Sequence, residues 1–348
     1  MKEIKTVDAV GCVLCQDITQ IIPGKFKGPA FKKGHIVTGE DIPKLLDIGK
    51  ENLYVWEKTE GILHEDEAAE YLRDLAMGAN MTASEPSEGK IELKASCGGL
   101  LKVHHEGLIT VNSTPQMMIA TRHGDTPVKA GDKLAGTRII PLVIEKEKME
   151  DLKERTLAVT DGKPLLELKP FLKKKVGIVT TGSEVYHHRI EDAFTPVLIR
   201  KLSEYGAEVI GHEITDDQAD MTTGAIRKLL DDGADVVLCT GGMSVDPDDR
   251  TPLAIKNTGA RIVTYGAPVL PGAMFLLAYM DREDGGAPRV ICGLPGCVMY
   301  AKRTIFDLML PRIMADDPIT ADEIAYLGEG GLCLGCEVCT YPNCGFGK

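Results

Sequence analysis

The region 171–314 constrains the fold most, because strand-like and helix-like segments alternate along it. Its β-branched, apolar runs are typical of buried strands. They are VGIVT (176–180), AEVIGHEIT (207–215) and ADVVLCT (234–240). One helical pattern starts at Thr195-Pro196 and stops at Gly206, and an amphipathic pattern covers 220–233. Strands separated by helices predict βαβ units and an α/β fold with a doubly wound, mainly parallel sheet.

The same region continues with weaker signals of the same kind. Short apolar runs near 262–264, 274–280 and 289–292 predict three more strands. A final helix is expected over about 299–310. These elements complete one α/β domain over 171–314.

The residues before this domain show a different pattern of predicted strands and helices, and they divide into two segments. The first, 1–60, has short β-like runs, a helical pattern from near Glu40 and a strand-like NLYVW (52–56). The second, 61–170, opens with a helix bearing Ala68 and Leu72, and its short strand candidates predict a small α+β domain of unknown role. Those candidates are GLLKV (99–103), GLIT (107–110) and TRIIPLVI (137–144). The charge run EKEKMEDLKER (145–155) predicts a solvated helix or connector.

Composition excludes several classes of protein. Hydrophobic residues make up 43% of the 348 residues, which is enough for real cores. The formal net charge of −12 argues against nucleic acid held by bulk electrostatics, although a small anionic ligand is compatible with it. The longest apolar stretch is 274–280, which is too short to span a membrane, and the first residues lack a secretory signal. A cytoplasmic protein without a membrane partner is expected.

Three glycine-rich turns follow strands of the α/β domain. Ligands of doubly wound sheets bind beyond the carboxyl ends of the strands, and glycine leaves backbone N–H groups open to an oxyanion. The third turn is also expected to open the last helix, whose N-terminus favours phosphate. The turns are TTGSEV (180–185), TGGMSVDPDD (240–249) and GLPGCV (293–298). Together they predict a site for an anionic ligand.

Carboxylates crowd the second turn, at Asp246, Asp248 and Asp249. A solvated, Asp- and Pro-rich turn is the simplest interpretation of this loop. Beside an anion site, however, carboxylates indicate a bridging Mg²⁺ or a general base. Glu184 on the first turn and Asp216 or Asp217 after another strand are expected at the same edge.

The order of these turns resembles the molybdopterin-binding domain of molybdenum cofactor biosynthesis proteins, the fold shared by MoeA/gephyrin and MogA-type enzymes. TTGSEV is similar to that family's STGDEL turn, TGGMSVDPDD to its GGVSVG…D loop, and GLPGCV to its GLPGNP turn. The segment AVGCVLCQDIT, with GHIVTGEDIPKLLDIGKENLYV, resembles pieces of the MoeA-type linker domain.

The resemblance implies a small anionic pterin ligand, molybdopterin or its adenylylated form, and insertion of molybdate with Mg²⁺-assisted release of AMP. Glu184 and Asp249 then become the catalytic candidates, with Asp249 and Asp246 as Mg²⁺ ligands. It also implies a homo-oligomer. The ligand-binding candidates are Thr181, Gly182, Ser183, Gly241, Gly242, Ser244, Gly293, Pro295 and Gly296.

The chain departs from the family pattern at several positions. Asp246 stands where the family loop has Gly, and Cys297 replaces the Asn of its third turn. VLPGAM (269–274) stands in place of the KPGKP loop, so two lysines are missing. MoeA-type proteins also have a small C-terminal β domain, for which no room is expected here because only the cysteine tail follows residue 314. These losses favour an alternative: a non-catalytic pterin carrier or sensor that serves a molybdoenzyme partner. The candidates for replacement positive charge are Arg189, Arg250 and Arg303.

The tail 315–348 ends in a C-x2-C-x2-C-x4-C pattern formed by Cys333, Cys336, Cys339 and Cys344. Thiolates at i, i+3 and i+6 in a glycine-containing loop can converge on one centre, and both Zn²⁺ and Fe–S clusters accept four cysteines. The tail has little apolar content, so something other than packing is expected to order it. Cys12 and Cys15, by contrast, are interpreted as small residues of an apolar strand.

Overall fold

The computed structural model describes residues 2–22, 24–55 and 60–348. Its strands are β1 (Lys2–Lys5), β2 (Ile18–Ile22), β3 (Phe26–Phe31), β4 (Asn52–Val55), β5 (Ile62–His64), β6 (Met81–Ala83), β7 (Lys90–Ala95), β8 (Gly99–Val103), β9 (Met117–Thr121), β10 (Thr126–Val128), β11 (Lys133–Ile139), β12 (Val143–Glu145), β13 (Leu166–Pro170), β14 (Lys175–Thr181), β15 (Glu208–Thr215), β16 (Val236–Thr240), β17 (Arg261–Tyr265), β18 (Leu276–Met280) and β19 (Arg289–Leu294). Its α-helices are α1 (Asp41–Asp47), α2 (Glu65–Ala76), α3 (His105–Asn112), α4 (Lys146–Val159), α5 (Ser183–Tyr186), α6 (Phe194–Ser203), α7 (Ala219–Asp231), α8 (Thr251–Asn257), α9 (Ile305–Met314) and α10 (Ala321–Tyr326). Trp56, the end of the predicted strand NLYVW, lies outside the described residues.

The chain forms two compact units. The first comprises 1–96, 103–122 and 131–167, and the second comprises 97–102, 123–130 and 168–348. Most of the predicted segments 1–60 and 61–170 therefore fall in one unit, and the α/β region shares the other with the cysteine tail.

The first unit centres on an antiparallel sheet of order β6-β7-β11-β9, on which α2 packs. The predicted helix α2 is confirmed, and the predicted strand 137–144 is divided between β11 and β12. The predicted strand 99–103 is also confirmed, as β8, most of which belongs to the second unit. GLIT was predicted as a strand, which is wrong, because it lies inside α3. The His104 side chain accepts a hydrogen bond from the Gly107 amide and caps that helix, and α3 packs on α4, so tertiary context overrides the β-branched composition.

The charge run at 145–155, predicted to be a solvated helix or a connector, is helical. It forms most of α4, whose inward residues Met149, Leu152 and Thr156 are buried. The helix is therefore solvated on one face and packed on the other.

A buried carboxyl in the first unit makes its stability depend on pH. Burial raises the pKa of Glu65 to about 7 from an ordinary 4.5, and the neighbouring Asp66 carboxylate adds to the rise. The folded protein thus binds this proton more tightly than the unfolded chain. The stabilisation is fully present below pH 4.5 and is lost as the pH rises through 7.

We therefore expect Glu65→Gln to raise the Tm by a few degrees at pH 8 and to change it little at pH 4.5, because glutamine mimics the protonated carboxyl. Thermal unfolding of both proteins at the two pH values measures the difference. An equal shift at both pH values would mean that Glu65 does not titrate in this range.

The second unit contains a six-stranded sheet of order β15-β14-β16-β19-β18-β17. The first four strands run parallel, and β18 and β17 extend the sheet antiparallel. Because β15 and β16 lie on opposite sides of β14, strand order reverses between β14 and β16. Such a switch point opens a crevice beyond the carboxyl ends of the two strands.

Helices cover both faces of this sheet, as predicted from the alternating pattern. On one face Ile178 of β14 shares a core with Leu198 of α6 and Phe306 of α9. On the other face Val179 of β14 shares a core with Leu229 of α7 and Ile255 of α8. The unit is therefore a mixed α/β layer structure.

The last helix differs from its prediction. The third glycine turn leads into a short 3-10 turn, Gly296–Met299, and α9 begins only at Ile305. Thr304 and Asp307 form a capping box that satisfies the first N–H groups of α9. The expected helix N-terminus at GLPGCV is absent from this turn, because the cap lies further along the chain.

The cysteine tail packs against the rest of the second unit, contrary to the expectation that something other than packing orders it. Phe346 is 5% exposed and belongs to the core beneath α9, and the Tyr341 hydroxyl donates to the Asp307 carbonyl at 2.8 Å. The Cys333 amide donates to the Leu270 carbonyl at 2.8 Å. The low apolar content of the tail is sufficient because the domain supplies the other side of each contact.

Candidate ligand site at the carboxyl edge of the sheet

The three glycine turns lie side by side. Thr180 of β14 is in register with Thr240 of β16, and Thr240 is in register with Leu294 of β19. The turns after these strands therefore begin at one level, on both sides of the switch point. The predicted convergence of the three motifs is confirmed.

The first two turns touch through a glycine. Gly241 has φ +82°, and a Cβ built on it would lie 2.1 Å from the Thr181 carbonyl oxygen. The Thr181 hydroxyl in turn donates to the Thr240 carbonyl at 3.2 Å. Only glycine fits both the backbone conformation and the contact, so this position holds the two turns together.

A threonine closes the base of the second loop. The Thr251 hydroxyl donates to the Gly241 carbonyl at 2.8 Å, and its amide donates to the Gly242 carbonyl at 3.1 Å. From the side, the Tyr265 hydroxyl donates to the Met243 carbonyl at 3.1 Å. Burial raises the pKa of Tyr265, and the Asp249 carboxylate adds to this effect.

The loop between these anchors presents its carboxylates to solvent. Ser244, Asp246 and Asp248 are exposed, whereas Asp249 is half-buried. Asp249 Oδ2 accepts from the Asp246 amide at 3.0 Å, and the Asp249 amide donates to the Asp246 carbonyl at 2.9 Å. Asp249 is therefore the carboxylate that the loop fixes in place.

The first turn carries an exposed and a shared carboxylate. Glu184 is exposed on α5, and its carboxylate oxygens lie about 3 Å from where a Cβ of Gly182 would stand. Asp217, which follows β15, accepts from the Ser183 amide at 2.9 Å. Asp217 thus reaches this edge as predicted, and it occupies one of the N–H groups that the turn was expected to offer.

A polar network beneath the first turn was missed in the sequence. Asp192 Oδ2 lies 3.2 Å from the Thr180 hydroxyl and 3.3 Å from His212 Nε2, and it also accepts from Thr195 at 2.5 Å. Burial opposes ionisation of Asp192, but these hydrogen bonds and two backbone amides outweigh it and hold its pKa below the usual value. Asp192 and Thr195 lie in one local turn at the start of α6, whereas His212 reaches them only through the β14–β15 pairing, which no local motif marks.

The residues of the third turn differ in accessibility. Gly293 is buried, and a Cβ there would meet Met243 Sδ at 2.5 Å, so its place is one of packing. Pro295 is buried, Gly296 is exposed with open space around it, and Cys297 is half-buried. Burial raises the pKa of the Cys297 thiol.

The three arginines considered as replacement charge have different surroundings. Arg303 donates to Asp307 at 2.9 Å and lies over the Tyr341 ring at 5.0 Å, so its charge is engaged away from the turns. Arg250 occupies the N-cap position of α8 and its side chain donates to the Pro247 carbonyl at 3.4 Å, and Arg189 is exposed after α5.

The four tail cysteines line one cavity of about 430 Å³. Cys336 and Cys339 are exposed, and Cys333 and Cys344 are half-buried against the core. Within residues 2–22, 24–55 and 60–348, no three His, Cys, Asp or Glu side chains are grouped as the ligands of a single metal ion. The same residues include no helix that is long and apolar enough to cross a membrane.

Two family models match the chain. Residues 3–57 match a domain of unknown function (DUF8806), and residues 177–315 match the probable molybdopterin binding domain. The second match spans all three glycine turns.

Individual relatives match smaller shares. A molybdopterin molybdenumtransferase of Synechococcus elongatus is 24% identical over 223 residues, which cover 61% of this chain and 51% of the relative. A CinA-like protein of Mycobacterium avium is 35% identical over 95 residues, or 27% of this chain and 22% of that protein. The solved structure of the molybdopterin biosynthesis enzyme MoaB from Thermus thermophilus is 20% identical with a TM-score of 0.34, covering 42% of this chain and 98% of that one. This chain spans about half or less of these two curated relatives. Over residues 177–315 the chain is thus similar to the probable molybdopterin binding domain.

Proposed function

We propose that this protein binds adenylylated molybdopterin at the switch point and inserts molybdate, with release of AMP. The observation that carries the proposal is the placement of the three turns at one level beside a carboxylate, Asp249, that the second loop holds in place. The match to a molybdopterin-binding domain over the same residues supports the ligand.

Backbone groups and hydroxyls would bind the ligand, and carboxylates would take part in the reaction. Gly241, Gly242 and Gly296, with the hydroxyls of Ser183 and Ser244, would bind the phosphate and pyrophosphate oxygens. Thr181 and Gly182 would shape the first turn, because the Thr181 hydroxyl donates to the Thr240 carbonyl and the Gly182 amide donates to the Thr215 carbonyl. Gly293 and Pro295 would support the third turn from beneath. Asp249 on the second turn and Glu184 on the first turn would orient the water or oxyanion that attacks the phosphoanhydride. The developing negative charge would fall among backbone N–H groups, as in other oxyanion sites.

The donor set fits Mg²⁺. Carboxylate oxygens are hard ligands, and Mg²⁺ is commonly held by one or two carboxylates together with substrate phosphates. Asp249 and Asp246 are the carboxylates that would hold it, and this arrangement needs no third acidic side chain of the protein. When bound, Mg²⁺ would neutralise charge on the pyrophosphate.

One observation favours a second function, a non-catalytic carrier or sensor that delivers the pterin to a molybdoenzyme. The segment VLPGAM has no lysine, and instead its Leu270 pairs with Leu332 of the tail. The segment that would hold an anion through its lysines therefore contacts the cysteine tail instead.

Anaerobic incubation of the purified protein with adenylylated molybdopterin, Mg²⁺ and molybdate separates the two functions. Molybdate-dependent AMP release supports insertion, with reactions lacking molybdate or Mg²⁺ as controls. Tight pterin binding without AMP release supports the carrier. Absence of binding would contradict both.

We further propose that the tail cysteines hold a metal centre, zinc or iron–sulfur, and that the protein acts as a cytoplasmic homo-oligomer. Their common cavity supports the metal centre. Metal analysis of the purified chain and its mass in solution test these statements.

A further inference from the structure

Residues of both the tail and the α/β domain line the cavity that contains the four cysteines. Apolar residues Leu332 and Phe346 line it, together with the cationic side chains of Lys302 and Arg303. The cysteines come from twelve residues of the tail, whereas the two cations come from the loop before α9. The tail and the α/β domain thus each line part of one cavity.

The contacts of the tail hold this arrangement in place. The Lys302 ammonium donates to the Glu337 carbonyl at 2.6 Å and to the Cys336 carbonyl at 3.1 Å, which fixes the segment between the second and third cysteines. Gly347 donates to the Gly330 carbonyl at 3.0 Å, so the two ends of the cysteine segment are tied together. These contacts hold the cysteine segment against the loop before α9.

We propose that Cys333, Cys336, Cys339 and Cys344 bind a four-iron, four-sulfide cluster in this cavity. The inference rests on the proposed tail metal centre and names its occupant.

The size of the cavity favours a cluster over zinc. Tetrahedral zinc sites bring four sulfurs to about 2.3 Å from one ion, and within the described part of the chain no three cysteine side chains are grouped in this way. The four cysteines instead line a cavity of about 430 Å³. A cubane cluster places its cysteine ligands around a larger core. Three cysteines at two-residue gaps followed by a fourth are also closer to the ferredoxin run than to the separated cysteine pairs of zinc modules.

Charge favours the same occupant. A four-iron core of charge +2 with four thiolates has a net charge of −2, which must be compensated where apolar residues line the site. Lys302 donates to carbonyl oxygens, which leave its positive charge unneutralised. Arg303 lies beside Cys339 and adds a second cation, partly balanced by Asp307.

Anaerobic reconstitution of the full chain with ferrous iron and sulfide tests the proposal, with Zn²⁺ alone as a parallel sample. We expect about four iron and four sulfide per chain with broad visible absorption. The double variant Cys336→Ser/Cys339→Ser should lose most of the iron and the absorption, because both residues are exposed and line the cavity. Cys12→Ser, in the first unit, is the matched control and should retain both, and circular dichroism checks the folding of each variant.

Each alternative outcome is decisive. One tightly bound zinc without a stable iron–sulfide product would overturn the cluster but keep the tail metal centre. Absence of any metal would overturn both. A two-iron product, or iron that remains in the double variant, would overturn this assignment of type or of ligands.

Discussion

Replacing Asp249 with Asn should lower molybdate-dependent AMP release by about 10²–10⁴-fold while leaving pterin binding essentially unchanged. An asparagine oxygen can still accept the hydrogen bond from the Asp246 amide, so the loop keeps its shape. What disappears is the negative charge proposed to hold Mg²⁺ or to orient the attacking group. Initial rates at saturating ligand, together with a direct binding measurement, separate the two effects.

Asp248→Asn is the matched control, because it removes an exposed carboxylate from the same loop. It should retain activity. Equal losses in both variants would point to the overall charge of the loop, and loss of pterin binding in Asp249→Asn would assign this residue to structure. Unchanged AMP release in Asp249→Asn would contradict its catalytic role.

The second large effect is on stability. Asp307 is 3% exposed and accepts from Lys201 at 2.6 Å, from Arg303 at 2.9 Å and from the Thr304 amide at 2.8 Å. Asp307→Asn leaves the buried Lys201 ammonium without its carboxylate. We expect the second unit to lose about 3–5 kcal/mol in the free energy of unfolding, as when one partner of a buried pair is removed.

Urea unfolding of the two proteins measures this loss. Glu213→Gln is the control, because it breaks the surface pair with Lys228 at 2.7 Å, whose contribution should be below about 1 kcal/mol. Similar small losses in both variants would mean that water reaches Lys201 and solvates it. Because the Tyr341 hydroxyl binds the Asp307 carbonyl, loosening of the tail should accompany the unfolding of α9.

Much of the α/β architecture could be predicted because its signals are local. The β-branched run at 176–180, the proline and glycine limits of α6 and the periodicity of α7 each specify an element within a few residues. Right-handed crossovers then leave few topologies open. Since parallel strands end at a common edge, the convergence of the three glycine turns followed from the same reasoning.

Local signals fail where a distant partner decides. GLIT is helical because His104 caps it and α4 covers it, and α9 starts late because Thr304 and Asp307 form its cap. The network of Asp192 and His212 exists only through the pairing of β14 with β15.

The amino-acid pattern was thus sufficient for the type of each strongly periodic element, the edge at which the three glycine turns meet and the four cysteines of the tail. Tertiary structure alone decided how Asp249 is held, that Asp217 occupies an amide of the first turn, and that the tail packs on the domain and forms a cavity with Lys302 and Arg303. The reason is physical. Periodicity and turn chemistry depend on neighbours along the chain, whereas packing and ion pairing depend on groups that only the folded backbone brings together.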